Sequence, residues 1–524
     1  MKLKSEGSSK CTIGLLQMAL SKNPDDNLKK AVDWVNKAVK KGARVICLPE
    51  LFRSQYFCQK EDIENFNLAE TIPGPSTDAL SKIAKKNEVV IVASLFEKRA
   101  RGIYHNTIAL INTDGEISGL LIEQFIAAWS SGASSGVFEG VKFQADVTKS
   151  PVPRFDLLNT DHYLYIGVQF SRGCPFNCEF CDIIELYGRV PRAKTNEQML
   201  AELDALYRIG YRGHVDFVDD NLIGNKKALK RLLPAITEWQ KARGFPFEFS
   251  TEASMNLADD SQLLQMMRQA NFFAIFVGIE SPDTETLIAT QKKQNTRRSL
   301  AASVHKIYEA GMYVIAGFIV GFDTDRGSVS EAMVECIEAT SIPVCMVGLL
   351  MALANTQLTR RLEKEGRLLP LQPGGGDQCT AGLNFVTLRP RREVLEDFRE
   401  ILAAIYAPEA YFRRVRTMGR ALNRPRHPSK VFVRLALREA RALGRLVWCV
   451  TFQRPDIGRH LWATVFDCAR HNFRGLEYVI AMVAFYLHLG VFADFLIHDL
   501  DRQIAALPKE PSRTQERLPV SEFA

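Results

Sequence analysis

From about residue 163 the chain repeats short apolar runs separated by longer segments with helical spacing. The apolar runs predict strands at 163–170, 214–218, 246–251, 273–279, 312–320 and 343–350. The intervening segments predict helices at 195–210, 226–243, 259–270, 296–310 and 327–340. Alternation at this pace is typical of β/α units, with parallel strands inside, helices outside and binding sites at the carboxyl ends of the strands. The pattern predicts an α/β protein with six such units.

The first 120 residues show a similar alternation. Strands are predicted at 12–18, 45–48 and 88–94, with a hairpin-like pair around 113–116. A helix capped within 25–27 follows the first strand. A Ser/Gly-rich stretch at 128–137 is typical of a linker, and helical periodicity dominates after about residue 387.

Composition is that of an ordinary globular protein. The 524 residues allow two to four domains, and 46% of the residues are hydrophobic. A net charge of +7 is too small to specify a nucleic-acid partner. The first ten residues lack an apolar core of signal-peptide length, and eight of the eleven cysteines are scattered, so a reducing, cytoplasmic location is expected.

The remaining three cysteines carry the clearest chemical signal. Cys174, Cys178 and Cys181 follow a predicted strand with C-x3-C-x2-C spacing. Thiolates are soft ligands that favour zinc, copper(I) and iron–sulfur clusters. A [4Fe–4S] cluster held by three cysteines leaves one iron open to substrate or cofactor. A structural zinc site with His162 or His214 as fourth ligand and a disulfide are the alternatives.

The loop C-x3-C-x-Phe180-Cys resembles the signature loop of radical S-adenosylmethionine (SAM) enzymes. The resemblance implies a partial (β/α)6 barrel and a [4Fe–4S] cluster on the three cysteines. It also implies reductive cleavage of SAM to methionine and a 5′-deoxyadenosyl radical. The electron would come from a donor such as flavodoxin or ferredoxin.

Polar residues at three predicted strand ends are candidate cofactor contacts. Asp219, Asp220 and Asn221 end the second barrel strand, where the resembled family binds the amino group of SAM. Glu252 ends the third strand and Glu280 the fourth. Carboxylates there can accept hydrogen bonds from ammonium or ribose hydroxyl groups. Helix caps or solvent-facing charges are the alternative interpretation.

Residues 151–158 resemble the approach to the cluster strand in radical SAM proteins that carry an N-terminal cobalamin-binding domain. Only the last stretch of that domain, near 121–150, is present, so cobalamin is implied only in part. The tail resembles the C-terminal domain of unknown function of the same proteins, some of which methylate hopanoid lipids. The resemblance therefore implies a C-methyltransferase acting on a small-molecule or lipid-like substrate.

The first 118 residues resemble a different family, the carbon–nitrogen hydrolases (nitrilases) and especially N-carbamoylputrescine amidohydrolases. The matching segments are 14–18, 47–58, 92–97 and 104–107. The resemblance makes Glu50 a catalytic remnant, but the lysine and the nucleophilic cysteine that should work with it are missing. Catalysis needs all three groups, so no amidase activity is expected.

The chain therefore looks chimeric. The predicted domains are a truncated nitrilase-like αββα fragment (1–119), a linker with a cobalamin-domain remnant (120–158), a radical SAM barrel (159–370), a mostly helical domain (371–510) and a disordered tail (511–524). A truncated sandwich is expected to leave apolar faces without partners.

The helical region is strongly basic. Residues 411–446 hold ten arginines and one lysine against one glutamate, and the apolar stretch 478–493 is shorter than a membrane span. A solvated face or an acidic partner is one interpretation, and peripheral contact with anionic lipid at the inner membrane face is the other. Aromatic residues are too sparse in 411–446 for a nucleic-acid stacking platform.

Overall fold

The computed structural model describes residues 12–55, 63–100, 103–115, 117–118, 143, 145–369, 382–425 and 433–507. These residues form two compact units. The first holds the described residues up to 118, and the second holds those from 143 onward.

The first unit is a five-stranded sheet with two helices. Its elements are β1 (Ile13–Leu15), α1 (Pro24–Lys40), β2 (Val45–Cys47), α2 (Pro75–Asn87), β3 (Val90–Ala100), β4 (Ile103–Ile111) and β5 (Ile117–Ser118). The strands lie in sequence order, with β1 to β3 parallel and β3 to β5 antiparallel. A core around Val35, Ile46, Leu80 and Ile91 joins helices to sheet.

The predicted cap of α1 is wrong in position. Asn23 caps the helix, because its side chain accepts a hydrogen bond of 2.9 Å from the backbone N–H of Asp25 and Pro24 occupies the first turn. Asn27 is buried instead, where it donates to the backbone carbonyls of Ser21 and Arg53. The antiparallel pair around 113–116 is confirmed as β4–β5.

Apolar side chains of the first sheet remain in solvent. Ile13 and Leu15 on β1 and Ile108 on β4 are all exposed. Unpartnered apolar positions on sheet strands are what a truncated sandwich is expected to show.

The second unit begins with an open barrel. Its elements are β6 (Ile166–Val168), β7 (Ser171–Arg172), α3 (Ile183–Leu186), β8 (Arg192–Ala193), α4 (Asn196–Arg208), β9 (Gly213–Phe217), α5 (Lys226–Arg243), β10 (Phe247–Glu252), α6 (Ser261–Gln269), β11 (Phe272–Glu280), α7 (Thr284–Ala289), α8 (Leu300–Glu309), β12 (Tyr313–Val320), α9 (Val329–Thr340) and β13 (Val344–Leu349). Six strands form one parallel sheet in the order β13-β12-β11-β10-β9-β6. This confirms the predicted partial (β/α)6 barrel and all six of its strands.

Alternating apolar positions build the barrel core. Phe217, Phe249 and Phe272 lie on neighbouring strands, with ring centroids 5.3–5.4 Å apart. Parallel strands place all their carboxyl ends at one edge, so Asp219, Glu252 and Glu280 come to the same end of the barrel.

The helical region completes the second unit with α10 (Gln357–Lys364), α11 (Arg391–Tyr406), α12 (Pro408–Ala421), α13 (Val433–Trp448), α14 (Pro455–His471) and α15 (Leu476–Ala506). A short π-helical turn, Cys449–Gln453, follows α13. Side chains tie these helices to the barrel: Tyr406 donates to the carbonyl of Cys345 over 2.7 Å, and Tyr478 donates to Glu248 over 3.0 Å.

Several arginines of the basic segment serve the fold rather than the surface. Arg414 is buried, donating to the Ile342 carbonyl and to Glu338. Arg424 is buried against the carbonyl of Phe272, 2.7 Å away. Arg420 pairs with Asp467. The segment 411–446 is therefore not one continuous basic face.

The last helix is longer than its apolar stretch indicates. Residues Phe473–Ala506 are long and apolar enough to cross a membrane, with a mean hydropathy of 2.0 in the most apolar window, of which only 28% is buried. One side of α15, including Tyr478, Met482 and Tyr486, nevertheless packs into the unit. The helix is thus part of the domain core along one face.

Candidate functional site

The cysteine loop is held open at the carboxyl end of β6. The strand ends at Val168, and β7 pairs antiparallel with β8 before the loop turns outward. Gly173 makes this turn with φ of 104°, a region that favours glycine. A Cβ at Gly173 would also lie 2.9 Å from the carbonyl oxygen of Gly188.

Asp219 fixes the start of this loop. Its carboxylate accepts hydrogen bonds from the backbone N–H groups of Phe170 and Ser171, at 2.8 and 2.5 Å, and from the Ser171 hydroxyl at 2.6 Å. Burial raises the pKa of Asp219 to about 6, although these donors act in the opposite direction. Both oxygens are engaged under the loop, so Asp219 positions the loop, and its direct contact with a cofactor stays a prediction.

The three predicted ligand cysteines line one pocket of about 200 Å³. Cys178 is buried, and Cys174 and Cys181 are half-buried. Burial raises the pKa of the free Cys178 thiol and raises that of Cys181 to about 12. A bound metal would remove this penalty, because coordination deprotonates a thiol.

Amide side chains face two of the sulfur atoms. Asn221 Nδ2 lies 3.7 Å from Cys174 Sγ, and Gln294 Nε2 lies 3.7 Å from Cys178 Sγ. Ser254 holds Asn221 in place, since its hydroxyl accepts from Asn221 Nδ2 over 3.1 Å. Asn221, which is predicted to bind the cofactor, lines the pocket, and its side-chain amide faces the Cys174 sulfur.

A buried ion pair forms one wall of the pocket. Lys292 Nζ lies 2.5 Å from Glu280 Oε1, and both side chains are almost completely shielded from water. Burial lowers the pKa of Lys292, but Glu280 and the neighbouring Cys178 and Cys181 outweigh it, so the net pKa is raised. Glu280 thus lies at the predicted strand end, where its carboxylate is paired with Lys292. A Cβ at Gly278 would collide with this pair, 2.7 Å from Lys292 Nζ.

Phe180 stands between this wall and the barrel. Its ring centroid lies 5.9 Å from Lys292 Nζ and 5.9 Å from the ring centroid of Phe322. Phe180 lines the cysteine pocket, as its place in the signature loop predicts.

Asp220 and Glu252 line the opposite side of the pocket. Asp220 accepts from the backbone N–H of Gly173 over 3.2 Å, and burial raises its pKa. Solvent reaches Glu252, although the pocket walls remove part of its hydration. This desolvation raises the pKa of Glu252 to about 7, and the negative charges of Asp216, Asp220 and Asp219 contribute to the rise. Asp220 and Glu252 are therefore the predicted carboxylates that line the pocket without a side-chain ion pair among the described residues.

Two groups of polar contacts, called the latch below, join Asn177 and Glu179 of the cysteine loop to α10. Glu179 pairs with Arg361 over 2.6 Å, and Arg361 also pairs with Asp323 over 2.8 Å. Next to it, Asn177 exchanges hydrogen bonds with Gln291 and Gln357, at 2.8 and 3.0 Å. These contacts connect the cysteine loop to the ends of β11 and β12.

The pocket fits an iron–sulfur cluster in its donor set. Hydrogen-bond donors and a buried cation face the thiols, which suits ligands that carry negative charge. Gln294 Oε1 is buried with no hydrogen-bond partner among the described residues. Within the same part of the chain, no three His, Cys, Asp or Glu side chains converge on a single ion position.

Glu50 belongs to the first unit. It follows β2 in an exposed turn, next to Leu51 with φ of 48°. The positions where the hydrolase lysine should follow lie outside the described residues.

Sequence reasoning missed Lys292, Gln294, Ser254 and Arg361. All four lie in helices or turns after strand ends, where polar residues are common and carry no distinct spacing.

Together the partial barrel and the three-cysteine pocket at the carboxyl ends of its strands define the class of protein. Sequence comparison agrees. The model of the radical SAM superfamily matches residues 168–332, that of a domain of unknown function (DUF4070) matches 356–501, and that of carbon–nitrogen hydrolases matches 12–123.

Two relatives match long parts of this chain. An uncharacterised methyltransferase of Synechocystis is 40% identical over 395 residues, covering 75% of this chain and 72% of that protein. The hopanoid C-2 methylase of Rhodopseudomonas palustris is 42% identical over 269 residues, covering 51% of this chain and 50% of that protein. The chain belongs to the radical SAM superfamily and is an enzyme whose family uses SAM and an iron–sulfur cluster.

The amino-terminal part has separate relatives. The N-carbamoylputrescine amidase of Oryza sativa is 36% identical over 113 residues, which is 21% of this chain and 37% of that protein. The carbon–nitrogen hydrolase match ends at residue 123, and the radical SAM match begins at residue 168. The predicted chimeric arrangement is therefore confirmed.

Proposed function

We propose that Cys174, Cys178 and Cys181 bind a [4Fe–4S] cluster and that the enzyme cleaves SAM reductively to methionine and a 5′-deoxyadenosyl radical. The single observation behind the proposal is the pocket that brings the three cysteines together beside Asn221, Gln294 and Lys292. A reduced cluster supplies one electron to the sulfonium of SAM, and flavodoxin or ferredoxin is the proposed donor of that electron.

The protein residues position the reactants. Glu252 accepts hydrogen bonds from the ammonium or ribose hydroxyl groups of SAM, which its location on the pocket wall supports. Asp219 holds the loop, and Phe180 packs beside Lys292 as part of the wall that keeps water from the cysteines.

Methyl transfer to carbon of a lipid-like substrate is the proposed overall reaction. The methyltransferase names of the two long relatives support it. Cobalamin is proposed as a further cofactor. This part of the proposal rests on the remnant of a cobalamin-binding domain near 121–150, which lies almost wholly outside the described residues. Carbon–nitrogen hydrolysis is the second candidate, supported by the match to residues 12–123, and is proposed to be inactive because its lysine and cysteine are missing.

Anaerobic reconstitution with iron and sulfide tests the proposal. We expect a brown protein with four irons per chain that releases 5′-deoxyadenosine from SAM when dithionite is added. One equivalent of zinc and no cleavage would refute the proposal. Ammonia release from N-carbamoylputrescine would instead support the hydrolase.

A further inference from the structure

The last three helices expose an unusual number of aromatic side chains. Eight large aromatic residues of α13, the π-helical turn, α14, the short turn Phe473–Gly475 and α15 are exposed, namely Trp448, Phe452, Trp462, Phe466, Phe473, Phe485, Phe492 and Phe495. In the barrel, between residues 145 and 369, only Tyr163 and Tyr165 among the described aromatic residues are exposed to this degree. Exposed aromatic residues in such density mark an interaction surface.

The exposed aromatics lie in stripes. Trp462 and Phe466 are four residues apart on α14, with ring centroids 6.1 Å apart. Trp448 and Phe452 are likewise four apart, with centroids at 4.5 Å. On α15, Phe485, Phe492 and Phe495 recur at seven and three, so they share one face.

The helices α13 and α15 line an apolar groove of about 1020 Å³. Leu443 and Leu446 of α13 line it together with Phe473, Ile480 and Ala484. The groove also reaches Phe245 and Asn271, which precede β10 and β11 and therefore lie at the amino ends of the barrel strands. The cysteine pocket lies at the carboxyl ends, so this surface is separate from the candidate active site.

Arginines accompany the aromatic stripes. Residues 433–474 contain eight arginines and three acidic residues, a net charge of +5. Five of these arginines are exposed between the aromatic positions, namely Arg441, Arg445, Arg459, Arg470 and Arg474. Exposed aromatic and arginine side chains interspersed along successive helices are typical of helices that lie in the headgroup region of a membrane.

We propose that α13, α14 and α15 dock the enzyme on an anionic lipid bilayer. The exposed aromatic side chains enter the headgroup region, and the exposed arginines contact acidic headgroups. The buried face of α15 stays packed on the domain, so this helix lies along the membrane surface. The proposal rests on this surface alone and holds whatever reaction the barrel catalyses.

Vesicle sedimentation of the full-length reconstituted enzyme tests it. The double variant Phe452→Ser/Phe466→Ser removes two side chains that are 66% and 68% exposed. The matched control, Leu157→Ser/Leu164→Ser, removes two that are 54% and 85% exposed in the segment before the barrel. The probes are vesicles of phosphatidylcholine alone and of phosphatidylcholine mixed with phosphatidylglycerol.

We expect wild type and the Leu157/Leu164 control to bind the mixed vesicles, and to bind pure phosphatidylcholine more weakly. The Phe452/Phe466 variant should bind about tenfold or more weakly, while still forming 5′-deoxyadenosine at the wild-type rate. Equal binding of both double variants would overturn the proposal. So would a wild-type dimer that ignores vesicles and dissociates in the Phe452/Phe466 variant, because a second copy would then cover the surface.

Discussion

At the scale of single residues, the site depends on groups that sequence spacing does not reveal. The cysteine spacing and Phe180 were sufficient to predict the pocket, because three soft ligands in one short loop have few other uses. Lys292 and Gln294 come from a turn more than a hundred residues away, and only the fold brings them to the thiols. The hydrogen bonds that Asp219 accepts from the backbone N–H groups of the cysteine loop could not be predicted either, since a strand-end carboxylate can bind backbone as readily as a ligand.

The pair of Lys292 and Glu280 is expected to matter for stability in the cluster-free protein. Lys292→Met leaves the Glu280 carboxylate buried without its cation and should lower the free energy of unfolding by about 3 kcal/mol. Adding Glu280→Gln should recover part of this loss. Denaturant unfolding measures both, with Lys241→Met, which removes an exposed ion pair, as control. A single Lys292→Met variant as stable as wild type would contradict the account.

The raised pKa of Glu252 predicts a pH-dependent effect. Since its pKa rises from 4.5 unfolded to about 7 folded, its charged form opposes folding. This cost is absent below pH 4.5, grows as the pH rises to about 7 and stays constant above. Glu252→Gln should therefore stabilise the cluster-free protein at pH 8 but not at pH 4.5.

Because solvent reaches Glu252, the expected gain at pH 8 is below about 1 kcal/mol. Denaturant midpoints of variant and wild type at several pH values measure it. A gain that is the same at every pH would show that the carboxylate is not perturbed.

At the scale of elements, periodicity predicted most of the barrel. All six strands and five helices of the repeat appear near their predicted positions, since each buries one apolar face against its neighbours. The prediction for α1 erred at its start, because several consecutive polar residues could cap it and only Asn23 has the required extended backbone. Which arginines of the basic segment are exposed could not be predicted, because an arginine that is buried against carbonyls looks the same in sequence as an exposed one.

The latch between the cysteine loop and α10 gives a test at this scale. Arg361→Gln removes the pairs with Glu179 and Asp323 and should lower the stability by about 1–2 kcal/mol. It should also speed iron loss to a chelator severalfold, because the loop is less well held. The neighbouring Arg360→Gln, which removes a single more exposed pair with Glu185, is the matched control and should lose iron as wild type does. Equal iron loss in both variants would argue against the latch.

At the scale of the whole molecule, two units of different origin share one chain. The hydrolase-like unit leaves sheet residues such as Ile13 and Leu15 in solvent, and its inactivity as a hydrolase stays a prediction. The sequence alone predicted this chimera, because each half matches a different set of motifs. Which surfaces the second unit presents could not be predicted, since exposure of residues such as Phe466 depends on how the helices pack.

Separate functions for the units predict the outcome of truncation. A chain that begins at residue 142 should still take up iron and form 5′-deoxyadenosine from SAM at a rate within about twofold of the full-length rate, because the cysteine pocket lies wholly in the second unit. Full-length protein should release no ammonia from N-carbamoylputrescine. Loss of cofactor cleavage in a folded truncated chain would contradict this division.

The central claim is that three cysteines hold the group that cleaves SAM. The most direct measurement is dithionite-dependent 5′-deoxyadenosine formation, compared between wild type, the single variants Cys174→Ala, Cys178→Ala and Cys181→Ala, and the control Cys336→Ala, a half-buried thiol on α9. We predict turnover in wild type and the control, and loss of at least about a hundredfold in each of the three variants. Cleavage that persists in any of the three, or that disappears equally in the control, would contradict the account.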